Sequence, residues 1–142
     1  MISDLNIPVH LSICGTVRES DGLAMSSRNT YLTDVERVKS SCLYKALLKA
    51  KVNCEKGNAS TRKEIIRIVT EELKTEPLVT SVEYVSVSSP VDMKESDVYD
   101  ENVGAVLSSA IRIGTVRLID NLLIGKAVHL VSQPALHYSN HI

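Results

Sequence analysis

Phenylalanine and tryptophan are absent, and tyrosine supplies all five aromatic residues of the chain. Any core must therefore be aliphatic, closed by Leu, Ile, Val and Ala. No apolar run approaches the roughly 20 residues that a helix needs to cross a bilayer, so the sequence does not read as a membrane protein. Charge of one sign is also missing. Sixteen Lys and Arg are spread among 17 Asp and Glu for a net charge of −1, and without a basic stripe nucleic acid is excluded as the expected partner. Cysteine is scarce. Cys14, Cys42 and Cys54 are odd in number, have no CxxC spacing and accompany no signal-peptide pattern, which argues for reduced thiols in the cytoplasm and against a disulfide framework.

What remains is a chain of 142 residues, a size and composition suited to one soluble globular domain. Its most informative stretch is Thr16-Val-Arg-Glu-Ser-Asp-Gly-Leu-Ala-Met-Ser-Ser-Arg-Asn29. Ser26 and Ser27 offer short hydroxyl donors, and Arg28 offers a planar fork that binds two phosphate oxygens at once. Gly22 frees neighbouring amides to form an anion nest. Ser-Ser-Arg-Asn is also an ordinary capping and loop sequence, so chemistry alone leaves phosphate binding and plain structure both open.

The periodicity gives an α+β expectation. Val9, Leu11 and Ile13 alternate with polar residues in a strand pattern ending at Cys14, with His10 on its polar phase as a surface or interface residue and Cys14 as a small buried one. Thr33 to Glu36 is a capping box, and Val35, Val38, Cys42, Leu43, Ala46, Leu47 and Ala50 recur at helical spacing up to the stop at Lys56-Gly-Asn58. Thr61 to Glu64 opens a second helix carrying Ile65, Ile66, Ile68, Val69 and Leu73, which ends before Pro77. The two helices are expected to form an antiparallel pair. From Val79 the period becomes two, with Val82, Tyr84 and Ser86 on one face and Glu83, Val85 and Val87 on the other. Gly104 to Ile113 and Thr115 to Ile124 read as two strands around a tight glycine turn. With residues 80 to 88 they complete a three-stranded antiparallel sheet. Arg117 and Asp120 are expected to pair there structurally. The acidic loop from Pro90 to Asn102 lacks the spacing of an EF-hand, and His137 with His141 has no third ligand nearby, so neither is taken as a metal site.

The run from Thr16 to Glu19, then from Asp21 to Asn29 with Tyr31 and Leu32, resembles the nucleotide loop of the pantothenate synthetase (pantoate-beta-alanine ligase) family. Asp4 to Val9 is similar to the segment leading into that loop, and Arg112 to Asn121 to the family's C-terminal strand pair. The three blocks fall in order over about residues 1 to 124 and match only the C-terminal half of a family member. One departure is Gly15, where the family often carries Pro.

The resemblance implies that Ser26, Ser27 and Arg28 correspond to the KMSKS loop of class I aminoacyl-tRNA synthetases and hold the ATP phosphates. It implies that Val17 and Met25 line the adenine. ATP is then a substrate, with Mg2+ held mostly by ATP itself, and pantoate and β-alanine are the other reactants. The activity implied is AMP-forming ligation through pantoyl adenylate in pantothenate and coenzyme A biosynthesis. Residues 1–14 are expected to be the trailing edge of a missing Rossmann-like domain, 15–30 the hinge and ATP loop, 31–126 a C-terminal lid, and 127–142 a disordered tail. The family's His-x-Gly-His motif, phosphate-facing lysine and pantoate pocket belong to that N-terminal domain, and the sequence contains no His-x-Gly-His. The chain is therefore expected to be inactive alone and to need the domain in cis or trans, with room for a homodimer in the full-length enzyme. The alternative is a non-catalytic nucleotide-binding or protein-interaction domain derived from the same family.

Overall fold

A computed structural model describes Pro8 and residues 13–131. Most of the strand expected at 9–14, with His10, and the pair His137 and His141 lie outside the described residues.

Three strands, β1 (Val79–Ser88), β2 (Ala105–Ile113) and β3 (Val116–Ile124), form an antiparallel sheet in the order β1-β2-β3. Ile113 pairs with Val116 across a two-residue turn whose first position, Gly114, has φ +56. A positive φ at that position suits a hairpin because the turn then follows the twist of the strands. A Cβ on Gly114 would also run into the Glu36 carboxylate, so the glycine lets the hairpin tip meet the first helix.

The helices are α1 (Asp34–Lys39), α2 (Cys42–Glu55) and α3 (Arg62–Leu73). Both expected capping boxes form, with Glu36 reaching back to Thr33 and Glu64 to Thr61. The single long helix expected from Thr33 is broken in two. Ser40 and Ser41 are buried, and the Ser40 hydroxyl donates to the Glu36 carbonyl at 2.7 Å, a local bond that competes with helix continuation. The break turns α1 outward, so Val35 and Val38 are 67% and 70% exposed rather than core.

Helix α2 buries Leu43, Ala46, Leu47, Ala50 and Cys54, and α3 buries Ile65, Val69 and Leu73. Lys39, just before α2, lies 3.7 Å from Glu76, just after α3, and Lys49 of α2 lies 2.6 Å from Glu72. The helix pair is thus antiparallel, as expected. Both helices pack on one face of the sheet, against Val87, Leu107, Ile111, Ile113, Leu118 and Ile124.

The two-face alternation expected for β1 fails at a bulge. Pairing shifts register between Val82 and Tyr84, and the extra residue lets Val82 and Val85 both pack on the core with Val87, while Glu83 and Tyr84 face outward. In the acidic loop, Arg62 pairs with Glu95 and Asp97, and Asp100 caps a turn at Asn102. Among the described residues no trio of His, Cys, Asp or Glu is placed to hold a metal ion, and no helix is long and apolar enough to cross a membrane. Residues Gly125–Leu130 form a 3-10 turn with Ala127 buried, so the described chain keeps its structure beyond residue 126.

Candidate functional site: a clamped loop at the sheet edge

Residues 17 to 25 fold back as a miniature hairpin. The Met25 N–H donates to the Val17 carbonyl at 2.9 Å, the Glu19 N–H to the Leu23 carbonyl at 2.8 Å, and Arg18 bridges Ala24. The turn closes with the Gly22 N–H on the Glu19 carbonyl at 3.0 Å. Gly22 sits at φ +94 with its α-carbon against the Tyr44 ring, a combination that only glycine accommodates without strain. Beyond the hairpin, Ser26 caps a 3-10 turn, Ser27–Tyr31, its hydroxyl accepting the Arg28 N–H at 3.2 Å.

Three anchors tie this loop to the domain. Leu23 is part of the core. Asp21 takes two bonds from Arg37 of α1, at 2.7 and 3.3 Å. Burial pushes the Asp21 carboxyl up, but the bonds from Arg37 and the Leu23 N–H outweigh it and leave the group below its ordinary value. The third anchor is buried. Arg18 makes a bidentate pair with Asp120 of β3 at 2.7 and 2.8 Å. It also donates to the carbonyls of Gly22 at 3.0 Å and Asn121 at 3.1 Å and lies 4.4 Å over the Tyr44 ring.

The expected pairing of Arg117 with Asp120 does not form. Side chains alternate along a strand, so residues three apart face opposite sides: Asp120 points to the helix side and Arg117 to the outer face. There Arg117 binds Glu83 at 2.5 Å, beside Arg112 at 2.8 Å.

A cavity of about 220 Å³ lies between the loop and β3. Met25, Ser26 and Arg28 line it from the loop, Tyr44 from α2, and Leu118 and Asp120 from the sheet. Of the residues expected to form a site, these three loop residues are brought together. Ser27 is exposed and starts the 3-10 turn, and Val17 lies outside the cavity, facing Met25 across the hairpin. Cys14 is exposed rather than buried. Tyr44 and Asn29 were not expected at the site. The Asn29 amide nitrogen donates to the Ala24 carbonyl at 3.0 Å while its oxygen is buried without a partner among the described residues.

A family model described as pantoate-beta-alanine ligase matches residues 1–123. The chain belongs to that ligase family. The pantothenate synthetase of Chloroflexus aggregans is 49% identical over 125 residues, covering 87% of this chain and 44% of the relative. That of a Thermoanaerobacter species is 47% identical over 131 residues, covering 90% and 44%. The crystal structure of pantothenate synthetase from Thermus thermophilus aligns with a TM-score of 0.76 at 36% identity, over 85% of this chain and 42% of that one. The chain thus spans less than half the length of these ligases. The helix pair and three-stranded sheet are a fold it shares with them.

Proposed function

We propose that this chain is the phosphate-gripping half of an ATP-dependent pantoate-beta-alanine ligase of coenzyme A biosynthesis, working in the cytoplasm with a nucleotide-binding domain supplied in cis or in trans. In the reaction so assigned, a carboxylate oxygen of pantoate attacks the α-phosphorus of ATP. The bond to the β-phosphate breaks, releasing pyrophosphate and leaving pantoyl adenylate. The amine of β-alanine then attacks the acyl carbon, AMP departs, and pantothenate is formed.

Both nucleophiles belong to substrates, so the protein's task is to align reactants and meet developing phosphate charge with donors already in place. Ser26, Ser27 and Arg28 are assigned that role. A hydroxyl carries one donor and two acceptor lone pairs. Ser26 uses acceptor capacity on the Arg28 N–H, which leaves its O–H to donate to a phosphate oxygen. Arg28 presents a fork that spans two such oxygens. Val17 and Met25 sit opposite each other on the hairpin, 36% and 38% exposed, an apolar pair suited to covering the adenine face. Magnesium arrives on the ATP phosphates, since it keeps most of its waters and takes few protein ligands. The observation that carries this reading is the convergence of Met25, Ser26 and Arg28 on one cavity wall, on a loop tied down by three separate anchors.

The test is ligation by the pure chain, alone and joined to the N-terminal half of the Chloroflexus aggregans relative. The chain alone is expected to make no pantothenate. The joined protein is expected to make it, and Arg28→Ala to lower the rate roughly 100-fold or more. Turnover by the chain alone, or a joined protein indifferent to Arg28→Ala, overturns the proposal.

A further inference from the structure

The phosphate loop bears on the rest of the molecule through one buried ion pair. Arg18 and Asp120 are 5% and 4% exposed, and they stand 102 positions apart in the chain. A buried pair is a poor source of net stability, because removing two charges from water offsets most of their attraction, and well-packed apolar residues often serve as well. What such a pair does supply is a defined geometry. The guanidinium fork fixes angle as well as distance. Here it engages three elements at once: the loop at the Gly22 carbonyl, β3 at Asp120 and the Asn121 carbonyl, and α2 at the Tyr44 ring.

The position of the fork sets what it controls. Arg18 lies directly across the hairpin from Ala24, two residues before Ser26 and four before Arg28. In β-paired backbone a slip of one residue turns every side chain to the opposite face. Pinning Arg18 to β3 therefore fixes which side of the hairpin Met25 presents and how Ser26 and Arg28 enter the cavity. The strand-edge carbonyl of Asn121 serves as a second stop, because a shift of the loop along β3 breaks that bond together with the carboxylate bonds.

We propose that Arg18 and Asp120 are the positioning pair of this site: they hold the register of the loop against β3 and so place Ser26 and Arg28 for the phosphates. The inference rests on the phosphate reading of the loop given above.

Three variants of the full chain decide it: Arg18→Met combined with Asp120→Leu, Arg18→Lys, and Arg28→Ala. Each is titrated with magnesium ATP and with inorganic tripolyphosphate, and amide hydrogen exchange is followed by NMR. The double variant is expected to melt close to the parent and to bind both ligands roughly tenfold or more weakly. Its Glu19 and Met25 amides are expected to exchange faster while those of Ile65 and Val69 stay protected. A merely structural role would instead move all four amides together. Arg18→Lys keeps the charge but loses the fork, and is expected to fail to rescue binding. If the double variant does not fold, the same readouts on Arg18→Lys decide between the two roles. An effect of Arg28→Ala with none from the position 18 variants overturns the positioning role alone. No effect of Arg28→Ala overturns the phosphate reading and the positioning role with it.

Discussion

At Gly22 the backbone stands at φ +94 with an aromatic ring where a side chain would be, whereas Gly57, at φ +70, faces open space. Alanine at either position meets the left-handed backbone penalty of about 1–2 kcal/mol. At position 22 it must also push Tyr44 out from under Arg18. Gly22→Ala is therefore expected to cost about 2–4 kcal/mol, and Gly57→Ala about 1 kcal/mol. Urea denaturation of the two variants checks the order, and equal losses would contradict the packing argument. The thiols differ in the same local way. Burial, with Glu76 adding to it at Cys42 and Glu55 at Cys54, pushes both thiols up to about 11. Cys14 is exposed. Because the thiolate is the reactive form, iodoacetamide at pH 8 is expected to label Cys14 first, as peptide mass spectrometry would report. Comparable labelling at Cys54 would argue against its burial. The partner of Asp120 shows what sequence could and could not reveal at this scale. Strand parity alone was enough to exclude Arg117. No periodicity links Arg18 to a residue 102 positions away, and only the fold brings the two together.

Among the elements, those specified by local chemistry were legible. Both capping boxes, the glycine stop of α2, the glycine hairpin and the three strands follow from short-range preferences that the tertiary structure keeps. The departures arise where a local bond or a register shift interrupts the period. The Ser40 hydroxyl ends α1 by bonding back to Glu36, and the bulge in β1 moves Val85 to the face of Val82. In the site, the loop was legible as a run of donors, but not the parts that α2 and β3 contribute to its cavity. The capping boxes also carry a pH dependence. Bonds from the Thr33 backbone and hydroxyl hold Glu36 below its ordinary 4.5, and backbone bonds at Ser60 and Thr61 do the same for Glu64. A carboxyl with a depressed folded-state pKa contributes stability that is fully present above its unfolded value and is lost as pH falls through the folded one. Urea midpoints are thus expected to decline below about pH 5. Glu36→Gln combined with Glu64→Gln keeps the reach to the cap backbone without the titration. That variant is expected to show a shallower acid slope, and an unchanged slope would remove the boxes as its source.

For the whole molecule, the absence of Phe and Trp leaves a core that is aliphatic but for Tyr99 and Cys54, and its continuity is decisive. Leu23 of the loop, Leu47 of α2, Val69 of α3, Leu107 of β2 and Ile124 of β3 belong to one buried cluster. Among the described residues the buried apolar side chains form one shared cluster, so the helices lose their packing surface if the sheet is lost, and the loop loses its own if either goes. Leu47 is fully buried at the centre of the helix face that meets the sheet. Leu47→Ala is expected to cost about 2–5 kcal/mol, the range for a truncated core leucine that leaves a cavity. Because the cluster is shared, that loss is expected to shift one common transition. Helical circular dichroism reports α2 and α3, while tyrosine emission sums all five tyrosines, with Tyr31 in the 3-10 turn and Tyr44 beneath the loop among them. The two signals are expected to move to the same lower midpoint in the variant. If tyrosine emission changed before the helical signal, the loop would be a separately melting unit, and the core would not be what holds Ser26 and Arg28 in place.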